Sequence, residues 1–117
     1  MRLERELMRG AGPLAVLKLL EDREMYGYEL VEALARRTDG VLDLGQSTLY
    51  PMLYNLEAQG FIEGVWREGE GVRGRKYYRI TGTGQKRLAK DTRQYESLAT
   101  ALAQLGVLKP VPVIPSV

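Results

Sequence analysis

The most regular pattern of apolar positions in the chain lies between residues 47 and 60. Apolar side chains recur there three and four residues apart, which is the spacing of one face of an amphipathic α-helix. They are Leu49, Met52, Leu53 and Leu56. The opposite face carries hydroxyl, amide and aromatic groups, and its charge comes only near its end, at Glu57. Such a face is typical of a contact surface, although an ordinary surface helix is an equally good interpretation of this stretch alone.

This amphipathic helix is predicted to begin near Gln46 or Ser47 and to end at Gly60. Pro51 lacks an N–H group and is tolerated only within about the first turn of a helix, so the helix begins shortly before it. Ser47 is the predicted N-cap, because its hydroxyl can accept a hydrogen bond from a free amide of the first turn.

Three further helical segments are predicted before this helix. Residues 2–9 are helix-capable, residues 10–13 interrupt them, and Pro13 suits the first turn of an apolar core helix over residues 14–20. Another helix opens at Met25 and continues to about Arg37, where a glycine-containing segment ends it. Residues 41–44 are predicted to be a short extended segment.

After the amphipathic helix, the pattern changes to that of strands. Residues 61–67 and 75–80 combine β-branched and aromatic residues with partial alternation, which predicts a β-hairpin whose flexible loop is the glycine-rich segment 68–74. A final helix is predicted from Thr81 to about Leu105. The prolines of residues 109–117 forbid a helix there, so this tail is expected to be extended and loose.

The final helix carries an apolar seam at nearly heptad spacing. The seam residues are Leu88, Tyr95, Leu98, Leu102 and Leu105. An amphipathic helix must bury its apolar face, and a second copy of the chain is the simplest partner, so a two-fold homodimer is predicted with these residues at its interface. The alternative, in which the seam packs back on its own domain, stays open.

Composition narrows the possible functions. A chain of 117 residues is enough for one domain with a modest core. It has no histidine and no cysteine, which removes the commonest general base, the commonest metal ligand, disulfides and thiolate sites. We therefore expect a protein that is not an enzyme and holds no metal or cofactor. Charges of both signs alternate at the start and no apolar run has the length of a membrane span, so a cytoplasmic location without membrane contact is expected.

Positive charge is concentrated in the C-terminal part of the chain. Residues 1–70 hold 8 Lys and Arg against 13 Asp and Glu, a balance of −5, whereas residues 71–117 hold 9 against 2, a balance of +7. The hairpin tip and the second strand that follows it carry a basic cluster of Arg73, Arg75, Lys76 and Arg79. Such a cluster can bind a polyanion, although a solvated hairpin can carry the same charges.

The order of these elements is that of a winged helix-turn-helix. We predict a mainly α (α+β) fold in which residues 1–80 form a DNA-binding domain with an N-terminal helix, residues 81–106 form a dimerisation helix, and residues 107–117 are the loose, proline-rich tail. In helix-turn-helix proteins the second helix of the motif enters the major groove and its N-terminal residues meet base edges. The amphipathic helix is the candidate for this role. Because it has no Lys or Arg, the hairpin, or wing, is expected to supply most of the electrostatic attraction.

The predicted DNA-binding residues are divided between the amphipathic helix and the wing. The helix offers hydroxyls, amides and rings that can contact phosphates and bases, and the wing offers cations. These residues are Gln46, Ser47, Thr48, Tyr50, Pro51 and Tyr54 on the helix, and Arg73, Arg75 and Lys76 on the wing. The predicted partner is double-stranded DNA.

Four stretches resemble the PadR family of bacterial transcriptional regulators. They are the Tyr-Gly-Tyr-Glu-Leu sequence of residues 26–30 and residues 47–57, 60–63 and 74–81. The resemblance implies a winged-helix homodimer that represses transcription from a pseudo-palindromic operator and is released by a small molecule. The short C-terminal part resembles the compact subclass of this family, and this implies that the N-terminal helix joins the dimer interface.

The same resemblance points to a small aromatic effector as a partner. In some members of the compact subclass flat aromatic compounds bind between the subunits, against an aromatic residue of the last helix. Tyr95 is the matching position in this chain. An equally good interpretation is that Tyr95 is a plain residue of the dimer seam.

A function of another class is also compatible with these patterns. A winged-helix module can bind a protein partner or sequester a small molecule without any role on DNA. Weak DNA binding together with a stoichiometric protein partner would distinguish this alternative from a regulator.

Overall fold

The computed structural model describes residues 1–69 and 72–109, and for residues 69, 72 and 73 it describes the backbone alone. Within these residues the chain forms four α-helices and a three-stranded antiparallel sheet. The helices are α1 (Arg5–Asp22), α2 (Gly27–Arg37), α3 (Gln46–Ala58) and α4 (Gly82–Gln104), and the strands are β1 (Met25–Tyr26), β2 (Ile62–Gly69) and β3 (Val72–Ile80). The sheet has the order β1-β3-β2.

The N-terminal region is one continuous helix, so the predicted interruption at residues 10–13 is wrong. Helix α1 runs through Pro13 without a break. Local propensity is overridden by packing, because Gly12 lies where α1 crosses α3 and a Cβ atom at this position would come within 2.6 Å of the Met52 Cε. The glycine that resembles a helix breaker therefore lets α1 approach α3 closely.

The short strand of the winged helix comes from a different segment than predicted. Residues 41–44 form a turn and a loop. In this turn the Leu42 amide donates to the Thr38 hydroxyl over 3.0 Å, and that hydroxyl donates to the Leu34 carbonyl. Met25 and Tyr26, predicted to open a helix, instead form β1 and pair with β3. Pairing of this kind depends on residues more than 50 positions away, which local pattern does not contain.

Helix α3 has the apolar face that its sequence pattern predicts. Its buried residues are Leu49, Met52, Leu53 and Leu56. The predicted N-cap is wrong, because Gly45 occupies that position and its carbonyl accepts from the amides of Thr48 and Leu49. The helix ends as expected before Gly60, which has a φ of +79° and lets the Phe61 amide reach the Leu56 carbonyl.

The wing is a longer hairpin than its sequence predicts. Strands β2 and β3 pair from Ile62↔Ile80 out to Arg67↔Arg75, with an irregularity before Gly69↔Val72. The predicted loop of residues 68–74 is therefore shorter, since its glycines also accept extended backbone. Residues 70 and 71 at its centre lie outside the described residues, as do residues 110–117 of the predicted tail.

Helix α4 begins where the sequence predicts and packs its first turns on the domain. The Thr81 hydroxyl accepts from the Gly84 amide and donates to the Gly60 carbonyl. Leu88 is buried in the core of its own domain, with 4% of its surface exposed. This position corrects the prediction that Leu88 belongs to the dimer seam, because its side chain already packs on its own chain.

The core lies between the three N-terminal helices, the start of α4 and the inner face of the sheet. Its fully buried side chains are Val16, Leu17, Leu30, Leu44, Leu49, Leu53 and Ile62. The arrangement is a winged helix, with α3 as the second helix of the helix-turn-helix and β2 and β3 as the wing. No helix in the described part of the chain is long and apolar enough to cross a membrane.

Candidate nucleic-acid interface

The outward face of α3 is uncharged and open to solvent. Ser47, Pro51 and Tyr54 lie along it at helical spacing and are all exposed, and 72% of the Tyr54 surface is accessible. Gln46 and Thr48, at the start of the helix, are exposed as well. Five of the six predicted helix residues therefore lie together on a surface free to contact a partner.

The sixth predicted residue, Tyr50, packs against α2 with part of its side chain and exposes the rest to solvent. Its ring and hydroxyl lie against the backbone at Gly27, where a Cβ atom would come within 2.5 Å of the Tyr50 oxygen. About 46% of the Tyr50 surface remains accessible. Tyr50 therefore holds α3 against the start of α2, and only part of its ring is available to DNA.

Helix α3 has two distinct edges on either side of its outward face. Thr48 and Asn55 lie on the edge that faces α1, since both line grooves together with α1 residues. Tyr50 and Glu57 lie on the other edge, which faces α2 and the sheet. The 3.6-residue period of the helix places these two pairs on opposite sides of the Ser47–Pro51–Tyr54 face.

Lys76 is held by α3 instead of extending freely from the wing. Its ammonium group donates to a Glu57 carboxylate oxygen over 2.8 Å and lies 5.4 Å from the centre of the Tyr78 ring. The other Glu57 oxygen accepts from the Gly64 amide over 3.0 Å. Any side chain at residue 64 would overlap the Lys76 stem. The sequence predicts that Lys76 binds DNA, whereas in the structure its ammonium group is paired with Glu57 and joins α3 to the wing.

The ionisation of this pair follows from its contacts. The hydrogen bond from Lys76 lowers the pKa of the Glu57 carboxyl, partial burial opposes this, and the Gly64 amide lowers the pKa further. The hydrogen bond to Glu57 raises the pKa of the Lys76 ammonium. Both groups are therefore charged over the whole physiological pH range.

Cations on the outer face of the sheet are also mostly paired. Arg67 forms an ion pair with Glu24, and Arg79 forms one with Glu63. Arg75 lies over the Tyr26 ring, 4.6 Å from its centre, and no carboxylate of the described residues pairs with it. Of the three predicted wing cations, Arg75 is exposed, Lys76 is paired and the side chain of Arg73 lies outside the described part of the structure.

Sequence reasoning does not assign two further features of this surface. Trp66 has 71% of its surface exposed and lies opposite Lys76, on the face of the hairpin that turns toward α3. Glu57 is visible in the sequence only as the single charge of the helix, although it accepts two hydrogen bonds from the wing. The partners of Glu57 are 7 and 19 residues away in sequence, so no local pattern indicates them.

The predicted dimer and effector residues lie along α4 beyond the core. Leu98 and Leu105 are exposed, at 53% and 78%, and Leu102 is half-buried. The Tyr95 ring is partly exposed, and its hydroxyl lies against α1 at Gly10. An apolar strip therefore continues from the core to the end of α4, and the described residues of its own domain do not cover it.

The described residues contain no cluster of acidic groups that could hold a metal ion. Burial raises the pKa of Tyr78, a core residue of β3. The chemistry of the surface is therefore that of hydrogen bonds, rings and cations around an uncharged helix face, a combination suited to a nucleic acid.

The fold and this surface define a winged-helix protein of the kind that regulates transcription. The model of the PadR-like family of transcriptional regulators matches residues 16–90. The chain belongs to this family, whose members regulate transcription and are not enzymes.

Individual relatives agree with this assignment. A transcriptional regulator of Mycobacterium tuberculosis is 38% identical over 95 residues, which cover 81% of this chain and 85% of that protein. A crystal structure of a PadR-family regulator from Eggerthella lenta has a TM-score of 0.76 at 37% identity, with 86% of this chain and 85% of that chain covered. A transcriptional regulator from Clostridium thermocellum has a TM-score of 0.78 at 29% identity and covers 85% of this chain and 96% of its own.

Proposed function

We propose that this transcriptional regulator is a sequence-specific DNA-binding repressor that acts as a homodimer on a pseudo-palindromic operator in the cytoplasm. The observation that carries the proposal is the outward face of α3, where Ser47, Pro51 and Tyr54 form an exposed surface without charge. A helix face that only needed to be soluble would carry Lys and Glu. This face instead carries groups that can select between bases.

The residues of α3 have complementary roles in this proposal. Gln46, Ser47 and Thr48 lie in the first turn, which is the part of a recognition helix that meets base edges. The Thr48 methyl group can contact a thymine methyl, and the Tyr54 hydroxyl can reach a phosphate. Pro51 gives the groove an apolar contact without an unsatisfied amide.

The wing complements α3 from one side. Arg75 is exposed on β3 and Arg73 follows the same strand toward its tip. Trp66 offers a large ring on the face of the hairpin that turns toward α3. These residues are suited to contacts with phosphates and sugars, which position a protein on DNA without reading its sequence.

Binding to the chain's own upstream DNA tests this proposal. Trp66 is the only tryptophan and lies on the wing, so its fluorescence should change when DNA is titrated. We expect tighter binding to upstream DNA than to random DNA of equal length, with a dissociation constant that increases steeply with salt. Equal affinity for both DNAs at every salt concentration would contradict sequence-specific regulation at that promoter.

The homodimer is supported by the apolar strip of α4 that the described part of the chain leaves uncovered. Leu98, Leu102 and Leu105 continue beyond the point where α4 leaves its domain, and an apolar groove lined by Leu14 and Ala89 lies between α1 and α4. A second copy can cover both surfaces at once. Leu7 of the N-terminal helix α1 is exposed at 62%, so it is a further apolar side chain that a second copy can cover.

Sedimentation tests the dimer directly. The wild-type chain should sediment at about twice its mass of 13.2 kDa, and Leu98→Glu with Leu102→Glu should give monomers. The matched control is Ser97→Glu with Thr100→Glu, which adds the same charge outside the seam and should leave the dimer intact. A monomeric wild type at micromolar concentration would contradict the dimer.

The finest part of the proposal is release by a small aromatic effector. Tyr95 is partly exposed in the apolar strip of α4, so a planar aromatic compound has a ring on which to stack there. A panel of planar aromatic compounds should include one that weakens operator binding by the wild type and not by Tyr95→Leu. If no compound that binds the protein changes operator affinity, ligand-controlled release is wrong.

A further inference from the structure

Three cations of the N-terminal segment lie beside the start of α3. Arg2, Arg5 and Arg9 are all exposed, and none of them forms an ion pair with a carboxylate of the described residues. On the wing, by contrast, Lys76 and Arg79 are each paired with a carboxylate. The net charge of residues 1–70 does not indicate these unpaired cations, because the three arginines lie in the acidic part of the chain.

These arginines share one surface with the proposed reading helix. Arg2, Arg5 and Arg9 line a groove of about 540 Å³ together with Thr48 and Met52 of α3. Among the described residues, Glu4 is the only acidic residue that lines this groove, so the surface keeps a positive balance. Thr48 is itself one of the exposed residues at the start of α3.

The position of the arginines is fixed by the packing of α1. Gly12 and Val16 are buried on the face of α1 that crosses α3, and Arg9 and Arg5 continue this face about one and two turns toward the N-terminus. The Leu3 amide donates to the Val41 carbonyl over 3.2 Å, which ties the segment before α1 to the turn that leads into α3. The arginines therefore have a defined direction relative to the groove-binding face.

The geometry of DNA gives this surface a partner. A helix in the major groove has a phosphate backbone on each side, since the groove is only about 12 Å wide. The wing lies beyond the Tyr50–Glu57 edge of α3, and the arginines lie beyond the opposite Thr48–Asn55 edge. Guanidinium groups bind phosphate oxygens through paired hydrogen bonds.

We propose that Arg2, Arg5 and Arg9 bind the DNA phosphates on the side of the major groove opposite the wing. The N-terminal helix thereby becomes a second backbone clamp, and α3 is held in the groove from both edges. This inference rests on the proposed DNA-binding function.

The salt dependence of operator binding tests the clamp. Arg5→Gln with Arg9→Gln should reduce the slope of log affinity against log salt by about 0.9 for each phosphate that is no longer neutralised, or about 1.8 for each protomer bound. Affinities for operator and random DNA should fall by the same factor, because phosphates carry no sequence information. The conservative variant Arg5→Lys with Arg9→Lys should restore most of the slope.

The matched control removes an equally spaced pair of cations from another helix. Lys86 and Lys90 are exposed on α4, four residues apart, and neither lines a groove with α3. Lys86→Gln with Lys90→Gln should leave the slope within about 0.5 of wild type, which is less than the effect of one phosphate. Circular dichroism and sedimentation of each variant establish that fold and mass are unchanged.

Three results would overturn the clamp. The arginine variant could keep the wild-type slope, the control could show as large a reduction in slope as the arginine variant, or the arginine variant could fail to bind DNA only because it no longer dimerises. In each case steep, specific binding by the wild type would leave the proposed function intact. If the wild type itself binds no DNA, the proposed function fails first.

Discussion

The two edges of α3 use their positive charges in opposite ways. On the wing edge, Lys76 is paired with Glu57 and helps to hold the wing against the helix. On the α1 edge, Arg5 and Arg9 are exposed and unpaired among the described residues. One edge therefore uses most of its charge for internal structure, whereas the other keeps it available for an anion.

This difference shows that charge in a segment of sequence is a weak guide to charge available for binding. Residues 71–117 have the larger positive balance, yet the ion pairs of Lys76 and Arg79 neutralise part of it. A cation that is already paired within the protein must leave or share its carboxylate before it can neutralise a phosphate and release counterions from DNA. Pairing, which only the fold defines, decides which edge has cations available for an anion.

The largest effect is expected where α1 and α3 cross. Gly12→Val would place a Cβ atom within 2.6 Å of the Met52 Cε and add two methyl groups to a close contact. We expect the free energy of unfolding to fall by about 2–3 kcal/mol, the cost of overpacking, and the α1 edge to move away from α3. Denaturant unfolding measures the first effect. A stable variant with unchanged DNA affinity would show that the α1 edge has no defined position.

The next effect concerns the connection between α3 and the wing. Glu57→Leu leaves the Gly64 amide and the Lys76 ammonium without their acceptor, and it should lower the free energy of unfolding by about 1.5–2 kcal/mol. Glu63→Leu is the matched control, since among the described residues Glu63 pairs with Arg79 alone, at an exposed site, and its loss should cost less than about 1 kcal/mol. Equal destabilisation by the two variants would mean that Glu57 does not join the two elements.

A smaller effect is expected from pH. The pKa of Glu57 is lower in the folded chain than its unfolded value of 4.5, so its carboxylate stabilises the fold above this pH and loses that contribution as the pH falls through the folded pKa. The pKa of Lys76 is raised above 10.5, so on the alkaline side the pair loses its stabilising contribution only above this pH. The stability difference between wild type and Glu57→Gln should therefore shrink as the pH falls below 4.5, and only by a small amount because the pair is partly exposed. A constant difference over this range, in urea unfolding, would contradict the assignment.

The smallest effect is expected on DNA binding when a paired wing cation is removed with its partner. Glu63→Gln with Arg79→Gln leaves the net charge unchanged and deletes an ion pair within the sheet. The salt slope for operator binding should stay within about 0.5 of wild type. A reduction of about one unit or more would show that Arg79 reaches a phosphate in spite of its carboxylate.

The sequence predicts those parts of the fold that depend on local pattern. The apolar face of α3, its end before Gly60 and the hairpin of β2 and β3 all follow from spacing and residue type, and the structure confirms them. The predicted break in α1 is wrong because it rests on the poor helix propensity of Gly12 and Pro13. The contact between Gly12 and Met52, which favours the continuous helix, is absent from any local window.

The candidate site is predictable in kind and less so in detail. Exposed residues of α3 follow from its amphipathic pattern, and most of the predicted positions are accessible. The partners of Glu57, the pairing of β1 with β3 and the position of the arginines beside Thr48 depend on contacts between distant residues. Sequence therefore indicates the helix proposed to contact DNA, while the source of the electrostatic attraction requires the structure.

The division of roles between α3 and the arginines of α1 is tested most directly by comparing specific with random binding in two variants at one salt concentration. Ser47→Ala with Thr48→Ala should lower affinity for the operator, leave affinity for random DNA unchanged and so reduce the ratio between them. Arg5→Gln with Arg9→Gln should lower both affinities equally and preserve the ratio. This division is contradicted if the α3 variant keeps the wild-type ratio while the arginine variant reduces it.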